Sequence, residues 1–177
     1  PAESKFLTAF VDVHKNLLFW TLCAWEENFN GVVVDYGAYP KQRQERFELT
    51  KASPTLMDVD KKKGLEGAIY SGLTAAVGDL FQPREREDGT AIPLARVMID
   101  ANWGPMTDLV YQFVREHGER ARLSPSHGVF VGATSKPFGE YAIKRGDRAG
   151  LHWRMPFDAG RRTRRVLVDV NYWKSFL

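Results

Sequence analysis

The first forty residues alternate between apolar runs and short polar breaks. Residues 6–14 form an apolar run with one carboxylate, and residues 17–25 form a second run rich in aromatic and branched side chains, which favour strands. Lys15-Asn16 separates these runs, and a turn at residues 28–31 precedes a third run at residues 31–37. Because connections this short join antiparallel neighbours, we predict three strands in an antiparallel meander.

The pattern changes to a helical period near residue 64. Apolar residues then recur every three or four positions as far as Pro83, which predicts a helix with one apolar face. Residues 94–100 predict a buried strand, Gly104-Pro105 opens a second helix, and residues 128–132 predict a further strand. Strands that alternate with helices are expected to run parallel to their neighbours.

Two parts of the chain have a weaker pattern. Residues 38–62 show no clear period, and only Phe47-Glu48-Leu49 suggests a short edge strand. Near the end, residues 165–169 predict a strand and residues 171–177 the start of a helix. Because the chain ends one turn into that helix, we expect residues 1–177 to be a single domain excised from a larger protein.

Composition narrows the classes of protein. Hydrophobic residues make up 44% of the 177 positions and charged residues 27%, a balance that excludes a disordered chain. Cys23 is the only cysteine, which excludes an internal disulfide and any metal site built on several thiolates. No run approaches the roughly 18 apolar residues of a membrane span, and the first residues lack a signal-peptide core. We therefore expect a reducing cytoplasm and no membrane partner.

Basic side chains concentrate in residues 136–165, although the net charge of the chain is only +3. This segment carries nine Lys and Arg residues against three acidic ones, which leaves a local charge of +6. Such a segment indicates a binding surface for a polyanion, and a solvated Arg-rich hairpin without a partner is the alternative. Sequence-independent phosphate contacts are expected from Lys144, Arg145, Arg148, Arg161, Arg162, Arg164 and Arg165.

Three aspartates lie inside or at the end of apolar strands. Asp12 interrupts the first run, Asp100 closes Val97-Met98-Ile99, and Asp169 follows Val166-Leu167-Val168. A carboxylate buried in a strand must be paired, hydrogen-bonded or metal-bound, and oxygen ligands select Mg²⁺ or Mn²⁺. Two such ions about 4 Å apart can hold the attacking and leaving oxygens of a phosphodiester. The alternative for each aspartate is a turn or helix cap, above all for Asp169.

The order of elements, with acids on the first and fourth strands, resembles the ribonuclease-H-like fold. Three segments sharpen the resemblance: Ala9-Phe10-Val11-Asp12-Val13-His14, Val97-Met98-Ile99-Asp100-Ala101-Asn102-Trp103 and Val168-Asp169-Val170-Asn171-Tyr172-Trp173-Lys174. They are similar to the acidic segments in the nuclease domain of phage large terminase subunits of the lambda-like branch. This resemblance spans nearly the whole chain.

The resemblance implies an α/β domain with a five-stranded mixed central sheet, helices on both faces and an appended basic β-hairpin. It implies an endonuclease that cuts concatemeric viral DNA as a duplex, with little sequence preference. Asp12, Asp100 and Asp169 would hold Mg²⁺ or Mn²⁺, two ions in number. Lys174 would neutralise a phosphate or orient a metal-bound water, and an ordinary surface lysine is the alternative.

The resemblance also implies partners: an upstream ATPase domain, the small terminase subunit and the portal, in the cytoplasm of the infected or lysogenic bacterial host. The chain has no Gly-x-x-x-x-Gly-Lys-Ser/Thr phosphate loop, so we expect no ATP binding in this domain. Two other interpretations stay open. One is a resolvase or transposase of the same fold, and the other is a non-catalytic DNA-binding or assembly module that kept the fold.

Overall fold

The computed structural model describes residues 3–44 and 46–175. The chain divides into two compact units. Unit 1 consists of Pro1–Ile99 with Ala121–Leu123, and unit 2 consists of Asp100–Arg120 with Ser124–Leu177. Each unit combines strands with helices, which agrees with the predicted α/β class.

Unit 1 contains the predicted meander and the long helix. Its elements are β1 (Phe6–Val13), β2 (Leu18–Trp25), β3 (Gly31–Tyr39), α1 (Leu56–Val59), α2 (Gly64–Leu80), β4 (Arg84–Glu85), β5 (Ala91–Ile92) and β6 (Leu94–Asp100, whose last residue belongs to unit 2). The strand order is β3-β2-β1-β6. β2 is antiparallel to both β1 and β3, and β6 runs parallel to β1. The predicted meander and the parallel fourth strand are therefore confirmed.

One face of the meander packs against α2. Alternate residues of β1 between Leu7 and Val13 are buried, while Asp12 lies on the opposite, more exposed face. The helix approaches the sheet closely at Gly72, where an added Cβ would lie 3.5 Å from a methyl of Leu18 and 2.5 Å from a methyl of Leu56. The apolar face of α2 is thus the face that covers the sheet, and helices on both faces stay a prediction.

The prediction of an edge strand at Phe47-Glu48-Leu49 is wrong. Leu49 instead begins a 3₁₀ turn that ends at Lys51. The ring of Phe47 stacks on Phe19 of β2, with 6.0 Å between the ring centroids. Packing against a side chain of the sheet therefore explains the apolar residue at position 47, and the backbone of Phe47 takes no part in a strand ladder.

Unit 2 contains the second helix, the basic segment and the C-terminal strand. Its elements are α3 (Thr107–Glu116), β7 (Leu123–Val129, whose first residue belongs to unit 1), β8 (Arg148–Ala149), β9 (Trp153–Met155), β10 (Phe157–Asp158), β11 (Thr163–Arg164), β12 (Val166–Asp169) and α4 (Val170–Lys174). The order β7-β12-β9-β8 places β12 parallel to β7 and antiparallel to β9. Within the described ranges, no helix has both the length and the apolar content to cross a bilayer.

The strand predicted at residues 128–132 lies earlier in the chain, because β7 already ends at Val129. Its first half contains Ser124 and Ser126, which are 0% and 4% exposed. A small hydroxyl side chain can be buried in a strand when the hydroxyl itself has a hydrogen-bond partner. Because these serines interrupt the apolar pattern, that pattern does not include the first half of the strand.

The prediction of a five-stranded sheet with a separate basic hairpin is wrong in strand number. Unit 1 contains four strands in the order given above, and unit 2 contains four strands in the order β7-β12-β9-β8. Leu167 of β12 pairs with Arg154 of β9, so the β8–β9 hairpin extends the sheet of unit 2. A second small hairpin, β10–β11, follows it. Strands of two or three residues carry too little alternation to be recognised from sequence.

Two glycines of α2 give a test of this packing. Gly78 has no atom within 4 Å of an added Cβ, whereas a Cβ at Gly72 would press on Leu56. We expect Gly78→Ala to raise the free energy of unfolding by about 0.5–1 kcal/mol, because alanine favours the helix. Gly72→Ala should lack this gain, because buried Leu56 must move. Urea denaturation of both variants measures the difference, and equal gains would contradict the packing described here.

Candidate functional site

Each of the three predicted metal ligands lies at the carboxyl end of a strand. Asp12 is the next-to-last residue of β1, Asp100 is the last residue of β6, and Asp169 is the last residue of β12. In unit 1, β1 runs parallel to β6, and in unit 2, β12 runs parallel to β7. The predicted placement of these acids at strand ends is confirmed.

In unit 1, Asp12 contacts a histidine on its own strand face. Nε2 of His14 lies 2.9 Å from Oδ2 of Asp12, as expected for side chains two residues apart in an extended segment. The Asp12 side chain is 46% exposed, and the edge of the His14 ring meets Phe19, which lies opposite Asp12 in β2. Asp12 is therefore a solvent-accessible carboxylate beside an imidazole, although the sequence suggested a more buried group.

In unit 2, Asp100 organises the loop that follows β6. Its Oδ1 accepts a hydrogen bond from the backbone N–H of Asn102 at 3.1 Å. The side-chain amide of Asn102 donates to the carbonyl of Gly128 at 3.0 Å, and the N–H of Ala101 donates to Ser126 at 2.9 Å. The two residues that follow Asp100 are thus both hydrogen-bonded to β7.

His127 joins this loop to α3. Its Nδ1 lies 3.0 Å from Oδ1 of Asn102, and its Nε2 lies 2.9 Å from the hydroxyl of buried Tyr111. Because the amide of Asn102 is oriented by its bond to Gly128, Nδ1 carries the hydrogen and Nε2 accepts from Tyr111. Both ring nitrogens are used, which disfavours His127 as a metal ligand. His127 lies within β7, so its backbone is part of the strand.

The surroundings of His127 disfavour its protonated form. Burial lowers the pKa of His127, and the positive charges of Arg165 and Arg161 lower it further. Burial raises the pKa of its partner Tyr111. The pair is therefore a neutral structural link between α3, β7 and the loop after Asp100.

Asp169 caps the last helix. Its Oδ1 accepts hydrogen bonds from the backbone N–H groups of Asn171 and Tyr172, at 3.1 and 3.3 Å. Its Oδ2 lies 3.5 Å from Nδ1 of His152, whose ring stacks on Tyr172 with 3.3 Å between centroids. The side chain is 11% exposed. The helix-cap alternative for Asp169 is confirmed, and one carboxylate oxygen is left with only the imidazole nearby among the contacts described.

Asp100 and Asp169 lie on either side of β7 in unit 2. Ser126 of β7 accepts the bond from Ala101, and Val129 of β7 pairs with Asp169. Two strand spacings separate them by about 10 Å across the sheet, and Asp100 lies near Ser126 whereas Asp169 lies opposite Val129, so they are also offset along β7. The two carboxylates would therefore share an ion only if both lean over β7. Among the described residues, no group of three or more His, Cys, Asp or Glu side chains is arranged to hold a metal ion. The oxygen donors suit Mg²⁺ or Mn²⁺ chemically, and metal binding stays a prediction.

Three of the seven predicted phosphate contacts have carboxylate partners inside unit 2. The distances are 2.8 Å for Arg161 Nε to Asp108, 2.9 Å for Arg164 Nη1 to Asp147, and 3.3 Å for Arg165 Nη1 to Asp158. These arginines are partly buried. The acidic residues can be counted along the sequence, but no local pattern indicates which arginine each one pairs with.

The other four predicted phosphate contacts are exposed: Lys144, Arg145, Arg148 and Arg162. Lys174, the predicted phosphate- or water-orienting lysine, is the last residue of α4 and is also exposed. Exposure leaves these five side chains accessible to a ligand, and their roles stay predictions.

The environment of His127 predicts a pH dependence of stability. In the unfolded chain this histidine takes up a proton near pH 6.5, whereas the folded chain resists protonation until a lower pH. Its contribution is therefore complete above about pH 6.5 and is lost as the pH falls below that value. Urea unfolding at several pH values should show a smaller loss on acidification for His127→Gln than for the parent chain. An equal loss in both would show that His127 is protonated without cost.

Comparison with known proteins gives one match to a family model. The model is described as the terminase large subunit gpA, endonuclease domain, and it matches residues 1–154. The matched range includes Asp12, Asp100 and His152, and it ends before Asp169 and the arginines at 161–165. Searches of curated proteins and of solved structures gave no match. Since the model covers most of the 177 residues, the chain belongs to the family of terminase large subunit gpA endonuclease domains.

Proposed function

We propose that this chain hydrolyses phosphodiester bonds of duplex DNA with little sequence preference, in a reaction that depends on Mg²⁺ or Mn²⁺. The observation that carries the proposal is the family match over residues 1–154. Membership of this family implies a nuclease role in phage DNA packaging. We infer that the role is the cutting of concatemeric DNA.

A ribonuclease-H-like fold is part of this proposal. The strand order β3-β2-β1-β6 in unit 1, with three antiparallel strands and a parallel fourth strand, supports it. The resemblance to the ribonuclease-H-like fold implies that a carboxylate on the first strand and one on the fourth strand belong to the active site. Asp12 and Asp100 have these positions in the chain.

The proposed metal ligands are Asp12, Asp100 and Asp169, with two ions bound. When bound, a divalent ion would supply activation of a water nucleophile and stabilisation of the leaving 3′ oxygen. Support comes from the chemistry of the donors, because carboxylate oxygens are the ligands that these hard cations prefer. Asp169 lies beyond the matched range, so its role rests on the resemblance of Val168-Asp169-Val170-Asn171 alone.

The residues around these carboxylates have orienting roles in this proposal. The two N–H groups that donate to Asp169 fix the rotation of its carboxylate. The contact between His14 and Asp12 does the same at the end of β1. Lys174 would contact a phosphate oxygen of the substrate from the end of α4. None of these side chains is proposed as a nucleophile.

The proposal extends to partners. Duplex DNA would bind through the exposed basic side chains of unit 2. An upstream ATPase domain, the small terminase subunit and the portal would act with the domain in the cytoplasm of the bacterial host. ATP would bind to that upstream domain, because the phosphate-loop pattern is missing from these 177 residues.

A non-catalytic DNA-binding module is the second candidate. It is favoured by one observation, that the described residues contain no ready group of three metal-ligating side chains. Such a module would bind DNA in a salt-dependent manner without a response to metal. The two candidates therefore differ in a property that can be measured on the isolated chain.

Plasmid nicking with Mn²⁺ tests the proposed activity. We expect the parent chain to cut, and we expect Asp12→Asn and Asp100→Asn each to lower the rate by more than about 100-fold. Substitutions of residues that only support a metal ligand cost up to about 100-fold in activity, and loss of a ligand itself should cost more. Asp79→Asn on the exposed side of α2 is a matched control that should keep the parent rate. Cutting that survives a chelator, or both active-site substitutions, would contradict the proposal.

Thermal unfolding gives an independent measurement of metal binding. A site that binds Mn²⁺ only in the folded state stabilises the protein by about 2.7 kcal/mol when the metal is at 100 times its dissociation constant. Millimolar Mn²⁺ should therefore raise the melting temperature of the parent and of Asp79→Asn. Asp12→Asn should lose this rise. A parent chain that binds DNA but shows no rise with metal would favour the non-catalytic module.

A further inference from the structure

A tight turn in the basic segment presents two cations to solvent. The N–H of Asp147 donates to the carbonyl of Lys144 at 2.9 Å, which closes a four-residue turn. Gly146, at its third position, has a φ of +83°, as type II turns require. This turn lies immediately before β8, and the β8–β9 hairpin makes a separate turn between Gly150 and Trp153. Lys144 and Arg145 are exposed on this turn.

Asp147 fixes the turn from inside. Its Oδ2 accepts from the N–H of Lys144 at 3.3 Å, and its Oδ1 accepts from the N–H of Phe157 at 3.3 Å. The hydrogen bond from Arg164 lowers the pKa of Asp147, with backbone hydrogen bonds acting in the same direction. Asp147 is therefore an ionised group whose lone pairs are used within the protein, and its side chain is only 9% exposed.

Arg164 holds this aspartate against the rest of unit 2. Its Nη1 donates to Oδ1 of Asp147 at 2.9 Å and to the carbonyl of Met155 at 3.4 Å. The guanidinium also lies over the ring of Phe157, 5.8 Å from its centroid. It packs so closely on the turn that a Cβ added to Gly146 would lie 2.7 Å from Nη2. Most of the bonding capacity of Arg164 is thus directed inward.

The exposed cations of this region have different surroundings. In the ranges that the structure describes, no carboxylate oxygen lies within ion-pair distance of Lys144, Arg145 or Arg148. The acidic residues Asp147 and Asp158 are already paired with Arg164, Arg165 and Arg161. Unneutralised positive charge therefore lies on the turn and on the residue that follows it, and Arg162 is a further exposed cation of the basic segment.

We propose that Lys144, Arg145 and Arg148 contact the phosphate backbone of duplex DNA, and that Arg164 is a positioning residue that holds their turn through Asp147 without contacting DNA. This inference rests on the proposed function for the identity of the polyanion. Of the seven basic residues singled out from the sequence, it assigns three to DNA binding and gives Arg164 a structural role.

Salt dependence of DNA binding separates the two groups. Fluorescence anisotropy of a labelled duplex, with the 177-residue chain and a chelator to prevent cutting, gives the slope of log affinity against log salt concentration. Each lost phosphate contact should lower the size of this slope by about 0.9. We expect that decrease for Arg145→Gln, and two to three times as much for the triple variant with Lys144→Gln and Arg148→Gln. Exposed Arg120→Gln removes the same charge elsewhere in unit 2 and should leave the slope unchanged.

Asp147→Asn tests the role of Arg164 by the sign of its effect. If Arg164 contacted DNA directly, removing the acidic partner would free its charge and strengthen binding. If Arg164 positions the turn, the same substitution loosens the turn and weakens binding, even though the protein becomes more positive. We expect weaker binding for Asp147→Asn, with a similar loss for Arg164→Gln and partial recovery for Arg164→Lys, which can still pair with Asp147.

The results of these binding measurements separate a failure of this inference from a failure of the proposed function. Tighter binding by Asp147→Asn, or an unchanged slope for Arg145→Gln in a chain whose parent binds DNA, would overturn the inference alone. Failure of the parent chain to bind duplex DNA in a salt-dependent manner would overturn the proposed function as well. Arg145→Gln alters only an exposed side chain at the turn, so its result does not depend on the folding of the Asp147 and Arg164 variants.

Discussion

Parallel strand pairing is the constraint on which the placement of the acidic residues depends. In unit 1, the register of β1 and β6 sets Val11 opposite Ile99, so both strands reach their carboxyl ends at the same edge. In unit 2, β12 and β7 pair in the same sense, with Asp169 opposite Val129. Parallel strands require a crossover between them. The connection from β1 to β6, which contains α2, and the connection from β7 to β12, which contains β8 to β11, are therefore as necessary to these strand ends as the ladders themselves.

Ion pairs between aspartates and arginines stabilise the fold of unit 2 together with its strands. Asp108, Asp147 and Asp158 each have a carboxylate oxygen within 4 Å of an arginine that is not their neighbour in the sequence. The partners are Arg161, Arg164 and Arg165 in that order. These pairs fix loops with little regular structure, where two- and three-residue strands supply few backbone bonds. The same side-chain type thus has two uses in one short segment. Some guanidinium groups stabilise the fold, and others remain available to an external anion.

The long, periodic elements could be predicted from sequence, and the short ones could not. The meander and α2 follow from apolar patterns that extend over eight or more residues, and their positions are confirmed. β7 was misplaced because Ser124 and Ser126 are polar yet buried, and β8 to β11 are too short to show alternation. The side-chain links were also out of reach. The pairing of His127 with Tyr111 and Asn102 joins three elements that only the tertiary structure brings together, and no local pattern signals it.

The cap formed by Asp169 has a consequence for which side chains the position accepts. Both helix N–H groups converge on one oxygen of a short side chain that starts at the last residue of β12. Glutamate has the same charge, but its extra methylene would carry the carboxylate past these donors, and asparagine would keep the reach while losing the charge. The cap therefore restricts the length of the side chain at this junction but does not require its charge, because an amide oxygen can accept the same two hydrogen bonds.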